Sequence, residues 1–285
     1  MLRALGAREA LSRTNFRGRT VSLAGGPALA AGAAVSAAVA APSPAAAAAA
    51  LTAGLGSGAV GLYDDVAGER SWPVPLGDRW RPSDASRTGT FVDRPEQKTA
   101  KGFAGHLAAL REGRVTSGLV KIVGVGAAGL AASALLAADP ARKRRGSRAG
   151  RAADLLLGAG VIAGTANLVN LFDLRPGRAI KAGGLIGAPL TLGRGGGLAA
   201  GPLGVAASVL PDDLDERVML GDSGANALGA LLGVALAART GPAGRAATLA
   251  AIAALTAASE KVSFTKVIEA NPVLRQLDAL GRRST

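Results

Sequence analysis

The chain contains no cysteine, a single histidine (His106) and few aromatic residues, 3% in all. Without cysteine it can form neither a disulfide frame nor a thiolate metal site. One histidine excludes a histidine-cluster metal centre. So few aromatic side chains leave little to fill one large aqueous core. Negative charge is also scarce: 20 Asp and Glu stand against 33 Lys and Arg, for a net charge of +13. In an aqueous protein that excess would suggest nucleic acid, yet no nucleic-acid motif accompanies it. Basic loops beside anionic lipid headgroups account for it more simply.

What is abundant is apolar and small. Hydrophobic residues make up 49% of the 285 positions, with 41 glycines, and the mean hydropathy is +0.29. Val21–Ala41, Ala45–Tyr63, Ile122–Ala138, Leu155–Phe172, Gly195–Pro211 and Ser223–Ala238 carry no charge; the shorter Ala182–Gly193 and Ala246–Ser259 carry none either. Blocks of about 18–20 apolar residues read as membrane-spanning helices. Their Gly and Ala content suits close helix packing in lipid. None shows the polar face at helical period that an aqueous bundle needs. The expectation is an all-α, polytopic integral membrane protein of about eight transmembrane helices, one membrane domain over residues 1–285.

Taken in order, residues 1–20 hold five arginines against Glu9 and form a cytoplasmic segment. Val21–Ala41 crosses outward as a retained helix, longer than a signal-peptide core. Pro42-Ser43-Pro44 breaks it and Ala45–Tyr63 returns. Residues 64–116 form a large cytoplasmic loop with nine basic residues between Arg70 and Arg114. Within it, Asp78–Glu96 reads as an insert and Lys98–Arg114 as a short surface helix. Thr116–Ala138 crosses outward, with Lys121 snorkelling to the interface. The basic run Arg142–Arg145 then falls outside, against the positive-inside bias. Leu155–Phe172 returns, Ala182–Gly193 and Gly195–Pro211 go out and back, Ser223–Ala238 exits and Ala246–Ser259 re-enters. Residues 260–285 are an amphipathic cytoplasmic tail.

Counting crossings places three polar clusters on one membrane face: Asp64 and Asp65; Asn167, Asn170 and Asp173; and Asp222. Carboxylates at a membrane interface are costly unless paired, metal-bound or functional. Each has a plain reading: Asp222 caps a helix, Asp64 and Asp65 end a solvated helix, and the asparagines bond between helices. Arg175, Arg178 and Lys181 read plainly as interfacial anchors. Together, carboxylates suited to Mg²⁺, amides and cations at one surface point to phosphate chemistry.

Gly61–Gly68 (GLYDDVAG), Asn167–Asp173 (NLVNLFD) and Met219–Gly229 (MLGDSGANALG) resemble, in order and spacing, the three signatures of the polyprenyl-phosphate N-acetylhexosamine-1-phosphate transferases. Asn15–Val21 followed by Gly25-Gly26 resembles that family's first cytoplasmic loop. The resemblance spans nearly the whole chain; each motif alone is weak, and the ordered set is specific. It implies a cytoplasmic-face cleft in the cell membrane. There a sugar-1-phosphate passes from a UDP-sugar to polyprenyl phosphate for envelope glycan synthesis, and UMP is released. By position it implies Asp64, Asp65 and Asp222 as catalytic, Asp222 and Asp65 as Mg²⁺ ligands, and Asn167, Asn170 and Asp173 as nucleotide-sugar contacts. Arg17, Arg19, Arg178 and Lys101 become phosphate contacts. Membrane lipids are further partners, nucleic acid is not, and a homodimer stays open. The chain departs from the family at Pro176, where a second Asp is usual, in lacking a His-rich loop before the last span, and in having no span before Asn15. Those departures keep a second reading in view, a non-catalytic relative that binds lipid phosphate or scaffolds envelope assembly. A transporter fits less well, because its polar groups belong near the bilayer midplane and these lie at helix ends.

Overall fold

The computed structural model describes residues 11–67, 114–140 and 147–282, together with 71–73 and four positions between 105 and 111. The expected insert 78–96, Lys101, His106 and the basic run 142–145 lie outside the described residues, as does most of the expected surface helix 98–114.

The described chain is helical apart from two short antiparallel hairpins, β1 (Ser12–Thr14) with β2 (Thr20–Ser22) and β3 (Ser71–Pro73) with β4 (Arg114–Thr116). The helices are α1 Gly25–Val39, α2 Pro44–Ala67, α3 Ser117–Ala137, α4 Arg148–Leu171, α5 Arg178–Gly187, α6 Gly197–Leu214, α7 Gly221–Arg239, α8 Pro242–Lys261, α9 Phe264–Ala270 and α10 Pro272–Ala279. Three are long and apolar enough to cross a membrane: Pro44–Val66, Ser117–Ala137 and Arg148–Leu171. The uncharged block Ala182–Gly193 does not form one continuous α-helix. It splits between the ten-residue α5 and a 3-10 turn, Ala188–Thr191. At 1.5 and 2.0 Å per residue the pair spans roughly 23 Å, less than a hydrocarbon core.

Helix α7 is the centre of the bundle. It packs against α1, α2, α4 and α6, and 15 of its 19 residues are buried. Small residues allow this. A Cβ added at Gly229 would lie 2.5 Å from the Thr165 carbonyl oxygen and 2.6 Å from Ala166 Cα, and one at Gly233 would lie 2.6 Å from Ile162 Cα. The α4 and α7 backbones therefore approach to a separation that only glycine permits. α8, by contrast, packs chiefly on α4 and buries only Arg245 and Ile252.

The helices alternate in direction, which separates two polar ends. At one end Ser43 Oγ donates to Asp139 (2.5 Å). There Arg245 also binds Asp154 (2.8 Å) and the Ala237 carbonyl (2.7 Å), tying α8 to α4 and α7. The opposite end gathers the C-termini of α2, α4 and α6 with the N-termini of α3, α5 and α7.

Candidate functional site

The α7 N-terminus anchors that second end. Gly221 adopts φ +58°, and a Cβ there would meet the Asp65 carboxylate oxygens at 2.8 and 2.9 Å, so glycine is required for the close approach. Both Asp65 oxygens accept backbone hydrogen bonds from α7, from Asp222 N–H and Ser223 N–H, each at 3.0 Å. Asp65 thus caps α7 from a neighbouring helix. The residue in the N-cap position, Leu220, offers no side-chain bond. The plain expectation that Asp222 caps its own helix is therefore overturned: a carboxylate from α2 already satisfies those free donors.

Relieved of capping, the Asp222 side chain meets Lys121 of α3. The ammonium nitrogen lies 2.6 Å from Asp222 Oδ2 and 2.9 Å from Asp64 Oδ2. Lys121 does not snorkel outward as expected. It bridges two carboxylates delivered by α2 and α7, and in the sequence it gave no signal beyond a lone charge near one end of an apolar run. Asp222 shares this ammonium with Asp64, while Asp65, expected beside Asp222 as a metal ligand, turns both its oxygens to the α7 backbone.

A cavity of about 380 Å³ opens beside this cluster, lined among others by Arg13, Asp65, Asn170, Asp173 and Asp222. A second, of about 180 Å³, is lined by Asn15, Phe16, Asp173, Arg175, Asp213 and Glu216 among others, so the two meet at Asp173. Burial, reinforced by the nearby charges of Asp213, Asp222 and Asp65, pushes the Asp173 carboxyl well above the usual range. Burial likewise raises Asp213 to about 6, although it accepts the Gly177 N–H at 2.8 Å and lies near Arg282 and Lys181.

The remaining expected residues divide. Asn170 reaches the larger cavity, whereas Asn167, one turn earlier, is exposed and lines neither. Arg17 pairs with Glu216 at 2.8 Å and Arg19 approaches it at 3.9 Å, while Asn15 donates to the same carboxylate at 2.7 Å. These pairs pin the β1–β2 hairpin to the segment before α7, where Met219 N–H also donates to the Ser22 carbonyl. Glu216 itself sits at φ +57°, a strained setting for a residue other than glycine. Arg178 is buried and bidentate to Asp278 at 2.8 and 2.9 Å, so it is not a free phosphate contact as expected. Arg175 lies over the Phe16 ring at 4.1 Å. Sequence reasoning missed Arg13, Asp213 and Glu216 at this site; no local pattern marks them.

Mg²⁺ requires oxygen donors. Among the described residues no three acidic or histidine side chains are grouped to hold a metal ion. Asp64 and Asp222, however, converge on one point of positive charge, now the Lys121 ammonium. Mg²⁺ commonly binds one or two carboxylates and completes its shell with water and phosphate, a donor set that Asp64 and Asp222 supply, although Lys121 engages both here.

No family model, no curated protein and no solved structure matches this chain.

Proposed function

We propose that the chain is a membrane-embedded transferase of sugar-1-phosphate, probed best with N-acetylhexosamine donors, acting from a UDP-sugar onto polyprenyl phosphate. In this reading about eight apolar segments lie in the cell membrane, α5 with its 3-10 turn reaching only part of the way across, and the Asp222 end faces the cytoplasm. The observation that carries it is the convergence of Asp64, Asp222 and Lys121 beside a cavity that also holds Asp65, Asn170, Asp173 and Arg13. Acidic and basic groups at the end of an apolar bundle are the setting that phosphate transfer between a polar donor and a lipid acceptor requires.

An oxygen of the lipid phosphate attacks the β-phosphorus of the UDP-sugar. The new P–O bond forms as the bond to the α-phosphate oxygen breaks, and UMP leaves with that electron pair. Asp64 and Asp222 would hold Mg²⁺, which neutralises the diphosphate charge when bound. Asp65 keeps the α7 N-terminus in register, so that Asp222 stays aimed at the cavity. Lys121, released from its carboxylates, supplies a cation to the phosphates, and Arg13 lines the path from the hairpin side. Asn170 and Asp173 orient the nucleotide sugar by hydrogen bonds.

One observation favours a second reading. The acidic cluster is satisfied without a ligand, since Lys121 pairs Asp64 with Asp222 and Asp65 is spent on capping. A non-catalytic relative that binds lipid phosphate or scaffolds envelope assembly would need no more.

Purified protein with polyprenyl phosphate, Mg²⁺ and a panel of UDP-sugars decides between them. The transferase reading expects UMP release that depends on lipid and metal, falls at least a hundredfold in Asp222→Asn, and falls in Lys121→Ala. Absence of UMP release from every donor, with lipid phosphate still bound, establishes the second reading instead.

A further inference from the structure

The C-terminal tail presents a surface that the acidic site does not use. α9 and α10 fold back onto residues 172–181. Phe264 stacks on Phe172 with ring centroids 5.0 Å apart, and Arg178 holds Asp278 through two bonds and Thr265 Oγ1 through a third at 2.9 Å. Arg282 adds bonds to Asp278 (2.7 Å) and to the Pro176 carbonyl (2.9 Å), and Lys181 donates to the Asp278 and Leu280 carbonyls. Burial pulls the Asp278 carboxyl upward, but the Arg178 hydrogen bond and the Arg282 charge outweigh it and hold the group below the usual range.

This clasp fixes how α10 is turned. Asp278 faces the bundle, and Val273, Leu277 and Leu280 follow one another at i, i+4 and i+7 on a side that nothing covers. With Leu274 beside them they are 64%, 50%, 68% and 39% exposed, respectively.

We propose that the tail lies in the membrane interface, with this stripe against acyl chains and with Lys266 and Arg275 among anionic headgroups. Three observations select lipid as the occupant. The tail continues from α8 after only Val262 and Ser263, and α8 leaves all but two of its residues unburied, a lipid-facing helix in a spanning bundle. The tail then passes the start of α5, held by Arg178 and Lys181, and ends with Gly281 against Leu214 of α6, so it follows the rim of the bundle. Its charge is basic on balance, Lys261, Lys266, Arg275, Arg282 and Arg283 against Glu260, Glu269 and Asp278. An apolar stripe flanked by basic residues is the pattern of an interfacial helix. The proposal rests on membrane embedding alone and survives failure of the transferase reading.

The absence of cysteine makes the test clean. Single cysteines replace Leu277, Leu280, Glu269 and Arg275, each is spin-labelled, and the proteins are placed in phosphatidylglycerol-containing nanodiscs. Collision with oxygen relative to a water-soluble nickel chelate should be several-fold higher at 277 and 280 than at 269 and 275. Equal ratios at all four sites overturn the proposal. So does spin–spin broadening at 277 that disappears on dilution with unlabelled protein, because a second copy then covers the stripe. Wild-type protein gives an independent reading: amide exchange across 264–280 should slow several-fold in nanodiscs relative to amphipol, and equal exchange overturns the proposal.

Discussion

Two neighbouring carboxylates on α2 have different work because of where the helix ends. Asp65 meets the bare N–H groups of α7 and becomes its cap, while Asp64, about 100° round the helix, meets Lys121. Neither role is written in the pair DD. Asp213 carries a consequence at the same scale. Its folded-state value of about 6 lies above the ordinary 3.8 of a free carboxyl. The stability its protonated form lends is therefore complete below about pH 4 and is lost as pH rises through about 6. Asp213→Asn keeps an oxygen for the Gly177 N–H and removes the charge. Over that window the wild-type melting temperature in detergent should fall by several degrees more than that of the variant. Equal slopes in the two proteins would refute this account.

Among elements, α7 depends on the absence of side chains. Gly229 and Gly233 let it touch α4 backbone to backbone, so Gly229→Ala or Gly233→Ala forces the helices apart, at about 1–3 kcal/mol for overpacking a fitted interface. Gly126 on α3 faces open space within 4 Å, and Gly126→Ala should be neutral or mildly stabilising, since it lowers the entropy of the unfolded chain. Melting of the three variants in the same detergent tests this; equal losses at all three positions would contradict it. Arg245 plays the opposite part. With Asp154 and the Ala237 carbonyl it gives α8, which has little buried surface, a polar lock on the bundle.

At the scale of the molecule, alternating helices sort polar groups to two ends. Ala40, at the end of α1, is exposed beside the Ser43–Asp139 bond, and Ser263 is exposed where α8 meets the tail. If the bundle spans a bilayer, Ala40→Cys and Ser263→Cys should react with a membrane-impermeant maleimide from opposite sides of oriented vesicles. Labelling of both from one side would show that the helices do not cross as proposed.

The sequence by itself determined the class of the chain. Long uncharged runs of Ala, Gly and Leu favour helices packed through small residues, and the described chain is helical along them, with Ala182–Gly193 broken between α5 and a 3-10 turn. Counting the reversals of the chain also determined which carboxylates share an end, because each apolar helix turns the chain back. Pairing was not legible, since it depends on angles between helices that no local pattern encodes. Only the tertiary structure decided that Lys121 turns inward to Asp64 and Asp222, that Asp65 caps a helix far away in sequence, and that Asn167 stays outside while Asn170 enters. It alone decided that Arg178 is taken by Asp278. A charge in a sequence has a sign and a place along a helix; its partner is set by which helices the glycines allow to touch.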